Sequence, residues 1–243
     1  MNTDGIDPSG KNILIERVNI TNYDDAVAIK PITSKGKYAQ CSENIIVRDC
    51  NVWFGVGMTI GTVVPHTEYN CVRNVTFSNH TFYHPFKAVY VKNNPGHTDT
   101  MLPGSGGEIS NVLYENLEIH EPIWWGIYIG LQQQKQPHSG NGPGCMLYPL
   151  KPCETSGLVS FSNFTLSNIN IYNAILPPGV IRCNETSPCT GFEFNNVHAH
   201  GWWKLLGLNY IVENVQGTVT DSRPKPAYVA PGEEFVSDDD RMI

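Results

Sequence analysis

The chain has 243 residues, a formal net charge of −7 and only 16% charged residues, so its polarity rests on 23 asparagines beside 22 glycines and 17 prolines. That mixture excludes a helical bundle, which draws on Ala, Glu, Lys and Leu, while 40% hydrophobic residues exclude a disordered chain. No run of 18 apolar residues is present to span a membrane, and no basic patch suits a nucleic-acid partner.

The chain opens Met1-Asn2-Thr3-Asp4-Gly5, without the charged and apolar regions of an export signal. Seven cysteines and five Asn-x-Ser/Thr sequons (Asn19, Asn74, Asn79, Asn163, Asn184) nevertheless suit a secreted, extracellular protein. The two observations together lead us to expect the C-terminal part of a longer protein. Cys145 with Cys153 and Cys183 with Cys189 close short Pro-containing loops and read as local disulfides. Cys41, Cys50 and Cys71 remain, and an odd count leaves one thiol over. The absence of any Cys-x-x-Cys pair argues against zinc.

Along the chain a nine-residue phrase, Asn-apolar-x-apolar-x-x-x-x-apolar, starts at Asn12, Asn44, Asn74, Asn111 and Asn163, and less completely at Asn209. Each copy has the period-two apolar pattern and β-branched residues of a strand. A second phrase follows the first four: Val27-Ala28-Ile29, Met58-Thr59-Ile60, Val89-Tyr90-Val91 and Ile127-Tyr128-Ile129. Its outer residues should face a core and its middle residue solvent. Two phrases recurring in register predict an all-β chain built as a parallel β-solenoid, in which stacked coils share one apolar interior. A β-sandwich with evenly spaced strands is the alternative. The coils are expected over 1–222, with an insertion at 132–154 stapled by Cys145 and Cys153 and able to wall a cleft. A Pro-rich acidic tail is expected over 223–243.

Stacking converts this register into geometry. Asp24-Asp25 precedes Val27, and Gly55-Val56, Phe86-Lys87 and Trp124-Trp125 hold the same place on later coils. Upstream, Ile6 takes the part of Val27, so Asp4 should stack on Asp25 one coil earlier. Neighbouring coils lie about 4.8 Å apart, which puts three carboxylates on one patch. Crowded like charges raise at least one pKa, the division into acid and base that glycosidic hydrolysis needs. A calcium site or a solvated turn would use the same residues. Lys92 is placed to hold a sugar carboxylate or to restrain the aspartates.

Asn2-Thr3-Asp4-Gly5, Asp24-Asp25-Ala26-Val27-Ala28-Ile29-Lys30 and Gly55-x-Gly57-x-x-Ile60-Gly61 resemble the polygalacturonase family of glycoside hydrolases, family 28, from residue 2 to about residue 130. The resemblance implies a right-handed parallel β-helix that hydrolyses pectic polysaccharide, polygalacturonan or rhamnogalacturonan, with inversion. It implies no metal or other cofactor, a monomer, Asp24 as general acid, and Asp4 with Asp25 holding the attacking water. Asn2, Tyr90 and Lys92 would line the substrate. Two positions depart from the family: Val56 stands where a histidine is usual, and Tyr90 where an arginine is usual. Asp4 would also sit on an open, frayed end coil, so the chain is expected to be poorly soluble or inactive by itself. A calcium-dependent polysaccharide lyase and a non-catalytic, decayed β-helix that binds pectin are the alternatives.

Other residues invite a site. His198 and His200 share a strand face, with no carboxylate or cysteine close by, and His66 and His84 could stand in for the absent histidine. Trp124-Trp125 and Trp202-Trp203 could each offer one ring to a sugar and one to the core.

Overall fold

The computed structural model describes residues 3–32, 41–65, 70–93, 106–132, 145 and 148–230. Twelve strands follow in order: β1 (Lys11–Glu16), β2 (Asn19–Ile29), β3 (Ser42–Val63), β4 (Asn70–Tyr83), β5 (Pro85–Asn93), β6 (Gly107–His120), β7 (Trp125–Gln132), β8 (Val159–Ala174), β9 (Gly179–Arg182), β10 (Cys189–Gly201), β11 (Ile211–Glu213) and β12 (Val215–Thr220). They form one ladder, β11-β9-β7-β5-β3-β4-β6-β8-β10-β12, with β1 and β2 on β3. Each strand pairs in parallel with the strand one coil away. The chain is therefore a parallel β-helix, and the sandwich is excluded.

The interior is built from rows of like residues. Ile45, Val75, Val112, Phe164 and Phe192 stack on one face, and Val27, Met58, Val89, Ile127 and Gly179 on another. All the apolar side chains in these rows lie in one buried core. No coil could bury its apolar residues alone, so each depends on the next.

Asparagine makes the corners. Asn74, Asn79, Asn111, Asn116, Asn163 and Asn168 all have φ between 53 and 59°, five residues apart within each coil. Asparagine tolerates this left-handed conformation because its side chain bonds locally. The corner amides also bond between coils: Asn44 Nδ2 donates to Asn12 Oδ1 at 3.1 Å, Asn163 to Asn111 at 3.0 Å and Asn168 to Asn116 at 3.2 Å. The sequons at Asn74, Asn79 and Asn163 thus fall on ladder positions.

Three expectations change. The sixth copy of the phrase starts at Gly191, not Asn209: Gly191 has φ 65°, and Phe192 and Phe194 continue the core rows. Glycine accepts a left-handed corner as readily as asparagine, so a pattern keyed on Asn passes over it. Asn209 instead donates to the Lys225 carbonyl. The middle residues of the second phrase do not face solvent either. Ala28, Thr59, Tyr90 and Tyr128 are all at most 3% exposed, and Tyr90 and Tyr128 belong to a second layer outside the core. That layer includes Cys145 and Cys153 of the insertion: Tyr128 Oη donates to the Cys145 carbonyl, and Arg182 donates to the Cys153 carbonyl and lies over the Tyr148 ring. Finally, residues 223–230 return across the last coil. Val229 N donates to the Val215 carbonyl, and the Tyr228 ring packs on Phe192 and Phe194.

Cys145–Cys153 and Cys183–Cys189 are disulfides, and Cys41–Cys71 is a third, which leaves Cys50 as the buried free thiol. Cys41 and Cys71 join adjacent coils, so their proximity follows from stacking rather than from sequence spacing.

Asn116→Ala should destabilise the chain by about 2 kcal/mol, from a left-handed φ without asparagine's local bonds and two lost ladder bonds. Asn116→Gly should cost about half as much, since it removes the bonds but fits the corner. Chemical denaturation measures both, and equal losses would contradict the conformational part.

Candidate active site

The carboxylate cluster lies on the outer face of the rung that includes Val27. The Ile6 bridge to Val27 brings the N-terminal segment alongside β2, and Gly5 N donates to the Asp25 carbonyl at 2.8 Å. A Cβ at Gly5 would collide with the Ala26 carbonyl, so glycine allows the close approach that places Asp4. Gly55, at φ 120°, does the same one coil on, where a Cβ would strike Asn22 and approach the Asp24 backbone. Asn22 Nδ2 donates to the Asp25 carbonyl and braces the turn.

Asp4, Asp24 and Asp25 each present one carboxylate oxygen within 4.8 Å of the others. Their environments differ. Asp25 is 1% exposed; its Oδ1 accepts from Thr59 Oγ1 at 2.8 Å and its Oδ2 from Lys92 Nζ at 2.6 Å. Asp24 is only partly covered, and its Oδ1 accepts from the Asp25 backbone N–H. Burial, then the charges of Asp25 and Asp4, push the Asp24 carboxyl above its ordinary range, against the Asp25 N–H and Lys92. Lys30 lies 3.5 Å from Asp4 and 3.6 Å from Asp7. Burial also pushes Asp7 upward, opposed by Lys30 and aided by Asp4.

The residues singled out in the sequence divide as follows. Asp4, Asp24, Asp25 and Lys92 come together. Lys92 is committed to Asp25 as a buried ion pair, so its ammonium is engaged inside the cluster rather than held out toward solvent. Tyr90 lies beneath it, with Lys92 Nζ 4.8 Å from the ring centre. Asn2 and His66 lie outside the described residues. His84 faces Glu121 at 3.2 Å, His198 bonds Asn196, and His200 stacks on Tyr172. Among the described residues, Asp4, Asp24 and Asp25 are the one group of three or more such side chains close enough to share an ion. Trp125 and Trp203 are buried, whereas Trp202 is exposed and Trp124 partly so.

Sequence reading missed Thr59, Asp7 and Lys87. Thr59 occupies the middle position of the second phrase on the coil after Asp25, and the same register that stacks Asp4 would have found it. Asp7 carries no motif; only its shared lysine reveals it.

The chain is thus a parallel β-helix that carries three clustered aspartates on an outer face. The model of glycosyl hydrolases family 28 matches residues 1–220, and the chain belongs to that family. It is 29% identical over 201 residues to the probable endopolygalacturonase D of Neosartorya fischeri, covering 82% of this chain and 36% of that protein. It is 27% identical over 202 residues to rhamnogalacturonase A of Aspergillus aculeatus, covering 80% of this chain and 36% of that one. The crystal structure of endo-xylogalacturonan hydrolase from Aspergillus tubingensis superposes with a TM-score of 0.56 at 15% identity, covering 96% of this chain and 54% of that one, a likeness of fold. The chain thus spans about a third of the length of these two sequence relatives.

Because folding raises the Asp24 pKa, the folded chain binds more protons than the unfolded one, and stability falls as pH rises from the ordinary aspartate value through the raised one. Asp24→Asn, which retains an oxygen for the Asp25 N–H, should therefore raise the melting temperature at pH 7 and lose that advantage near pH 3.5. Thermal unfolding at both pH values checks this; a variant less stable at pH 7 would contradict it.

Proposed function

We propose that this chain carries the acid–base machinery of a secreted, monomeric hydrolase acting on pectic polysaccharide. The observation that supports it is the asymmetry of the three carboxylates. One, Asp24, is pushed toward its protonated form, while another, Asp25, is salt-bridged to Lys92 beside it. That is the pairing glycosidic cleavage requires. Asp24 gives its proton to the glycosidic oxygen as the carbon–oxygen bond breaks. Asp25 and Asp4 hold a water, and its proton passes to one of them as its oxygen bonds the anomeric carbon. Asp24 then recovers a proton from solvent, and the aspartate that took the water's proton returns it to solvent.

Both oxygens of Asp25 already accept hydrogen bonds, which weakens it as a nucleophile and suits it to orienting water. This supports inversion. The closeness of the carboxylates pulls the other way, since inverting pairs generally stand about 6.5–9.5 Å apart and retaining pairs about 5–5.5 Å. The double hydrogen bonding of Asp25 outweighs that closeness, because the 4.8 Å limit applies to single oxygens rather than to whole carboxyl groups. Among the described residues, the nearby ammoniums are engaged as well: Lys30 with Asp4 and Asp7, Lys92 with Asp25, and Lys87 among aromatic rings. That supports a polymer with neutral sugars near the scissile bond, such as rhamnogalacturonan, over uninterrupted galacturonan.

In a protein that carries these coils at the relatives' full length, incubation with polygalacturonan and with rhamnogalacturonan should release reducing ends faster from the second, and proton NMR should show the inverted anomer first. Asp24→Asn should lower the rate by about 10²–10⁴-fold. Undiminished activity in that variant would remove Asp24 from the acid role. A retained anomer would make Asp25 or Asp4 a nucleophile, and an unsaturated, ultraviolet-absorbing product would replace hydrolysis with elimination.

A further inference from the structure

Lys87 is a buried cation that the acid–base reading leaves unused. It stands two coils from Asp25 on one rung: Asp25 pairs with Val56, Val56 with Lys87, and Lys87 with Trp125. The residue is 2% exposed, and no carboxylate forms an ion pair with it among the described residues. Aromatic faces surround its ammonium instead. Nζ lies 4.1 Å from the Tyr90 ring centre, 4.5 Å from that of Tyr128 and 5.4 Å from that of Trp124. The negative faces of three rings compensate part of the lost hydration.

Tyr90 is shared. Lys92 Nζ lies 4.8 Å from the same ring while it contacts Asp25 at 2.6 Å. Two ammoniums around one ring repel each other, and of the two only Lys92 has a carboxylate within contact. We infer that Lys87 is a positioning residue for the aspartate cluster: its boxed charge directs Lys92 onto Asp25 and favours negative charge on Asp24. It touches no reacting atom and acts through Lys92 and the field at the carboxylates. Its bearing on rate rests on the hydrolase reading; the electrostatic coupling itself does not.

Among the described residues, the groups facing Lys87 are few. Asp24 and Asp25 come from β2, Tyr90 and Lys92 from β5, and Tyr128 from β7; Val56 and Thr59 of β3 do not titrate. Tyr148 and Arg182 act on Tyr128 from behind. Burial, then repulsion by Lys92, lowers the Lys87 ammonium to about 7, against the pull of Asp25 and Asp24. A lysine depressed in this way binds fewer protons than in the unfolded chain between about 7 and its ordinary value near 10.4, so its contribution makes stability rise with pH across that window.

Carboxyl-carbon NMR titration of the full chain tests the coupling without any substrate. In the wild type, the Asp24 signal should show a second inflection near pH 7, reporting Lys87. Lys87→Met should abolish it and shift the main Asp24 transition up by about one pH unit, the size expected for a unit charge within about 10 Å at an effective dielectric near 20. Lys87→Arg should also abolish the inflection, because arginine does not titrate there, but should keep the main transition at its wild-type position. An unmoved main transition in Lys87→Met would overturn the inference, as would an inflection that persists in Lys87→Arg. If Lys87→Met does not fold, the arginine variant alone decides. With an active chain, the alkaline limb of the Lys87→Met rate profile should rise by the same amount. Titrations that behave as stated in a chain without activity would uphold the coupling while counting against the hydrolase reading.

Discussion

The left-handed corner, repeated at the same rung of every coil, is the constraint on which the rest of this molecule depends. It turns the chain sharply enough to close each coil, and asparagine is the residue with a Cβ that adopts it at little cost. Where the corner amides also bond the corner below, as those of Asn74, Asn79 and Asn116 do, one residue sets both the bend within a coil and the register between coils. Core rows, outer aromatic stacks such as Trp53–Tyr83–His120–Tyr172, and the rung of aspartates all inherit that register.

The aspartate-bearing face then does something that the interior of the β-helix does not. Its outward positions are covered by a second cluster containing Tyr90, Trp125, Tyr128 and the insertion disulfide, so charged groups there are desolvated without entering the core. Two lysines and an aspartate end up at most 4% exposed. Buried ion pairs seldom add net stability, because desolvation offsets their attraction. Lys92 and Asp25 are better understood as holding a charge pattern: a salt-bridged carboxylate beside an acid that burial and its neighbours keep above the ordinary range. Affinity for protons, rather than fold stability, is what this arrangement adjusts.

How far the site could be read beforehand depended on which information was local. Asp24-Asp25 was conspicuous, and Asp4 followed once Ile6 was matched to Val27. Thr59 was accessible by the same register but lies in a phrase read as solvent-facing. Gly191 escaped because the phrase was defined by asparagine rather than by the φ that asparagine and glycine share. Lys92 was identified, but its partner is 67 residues away. Lys87 could be placed on the rung and still not be recognised, since its character comes from three rings on β5, β7 and the turn before β7.

What the sequence determined by itself is the repeat: strand period, corner residue and coil spacing are written in each coil, so parallel stacking and the meeting of Asp4 with Asp25 follow from counting. The tertiary structure alone decided what covers the rung. Whether an outward residue meets water or a second layer depends on the insertion and on side chains from other coils. That choice pairs Lys92 with Asp25, boxes Lys87 among aromatic faces and raises Asp24, because desolvation is a property of everything packed around a group and not of the residues beside it in the chain.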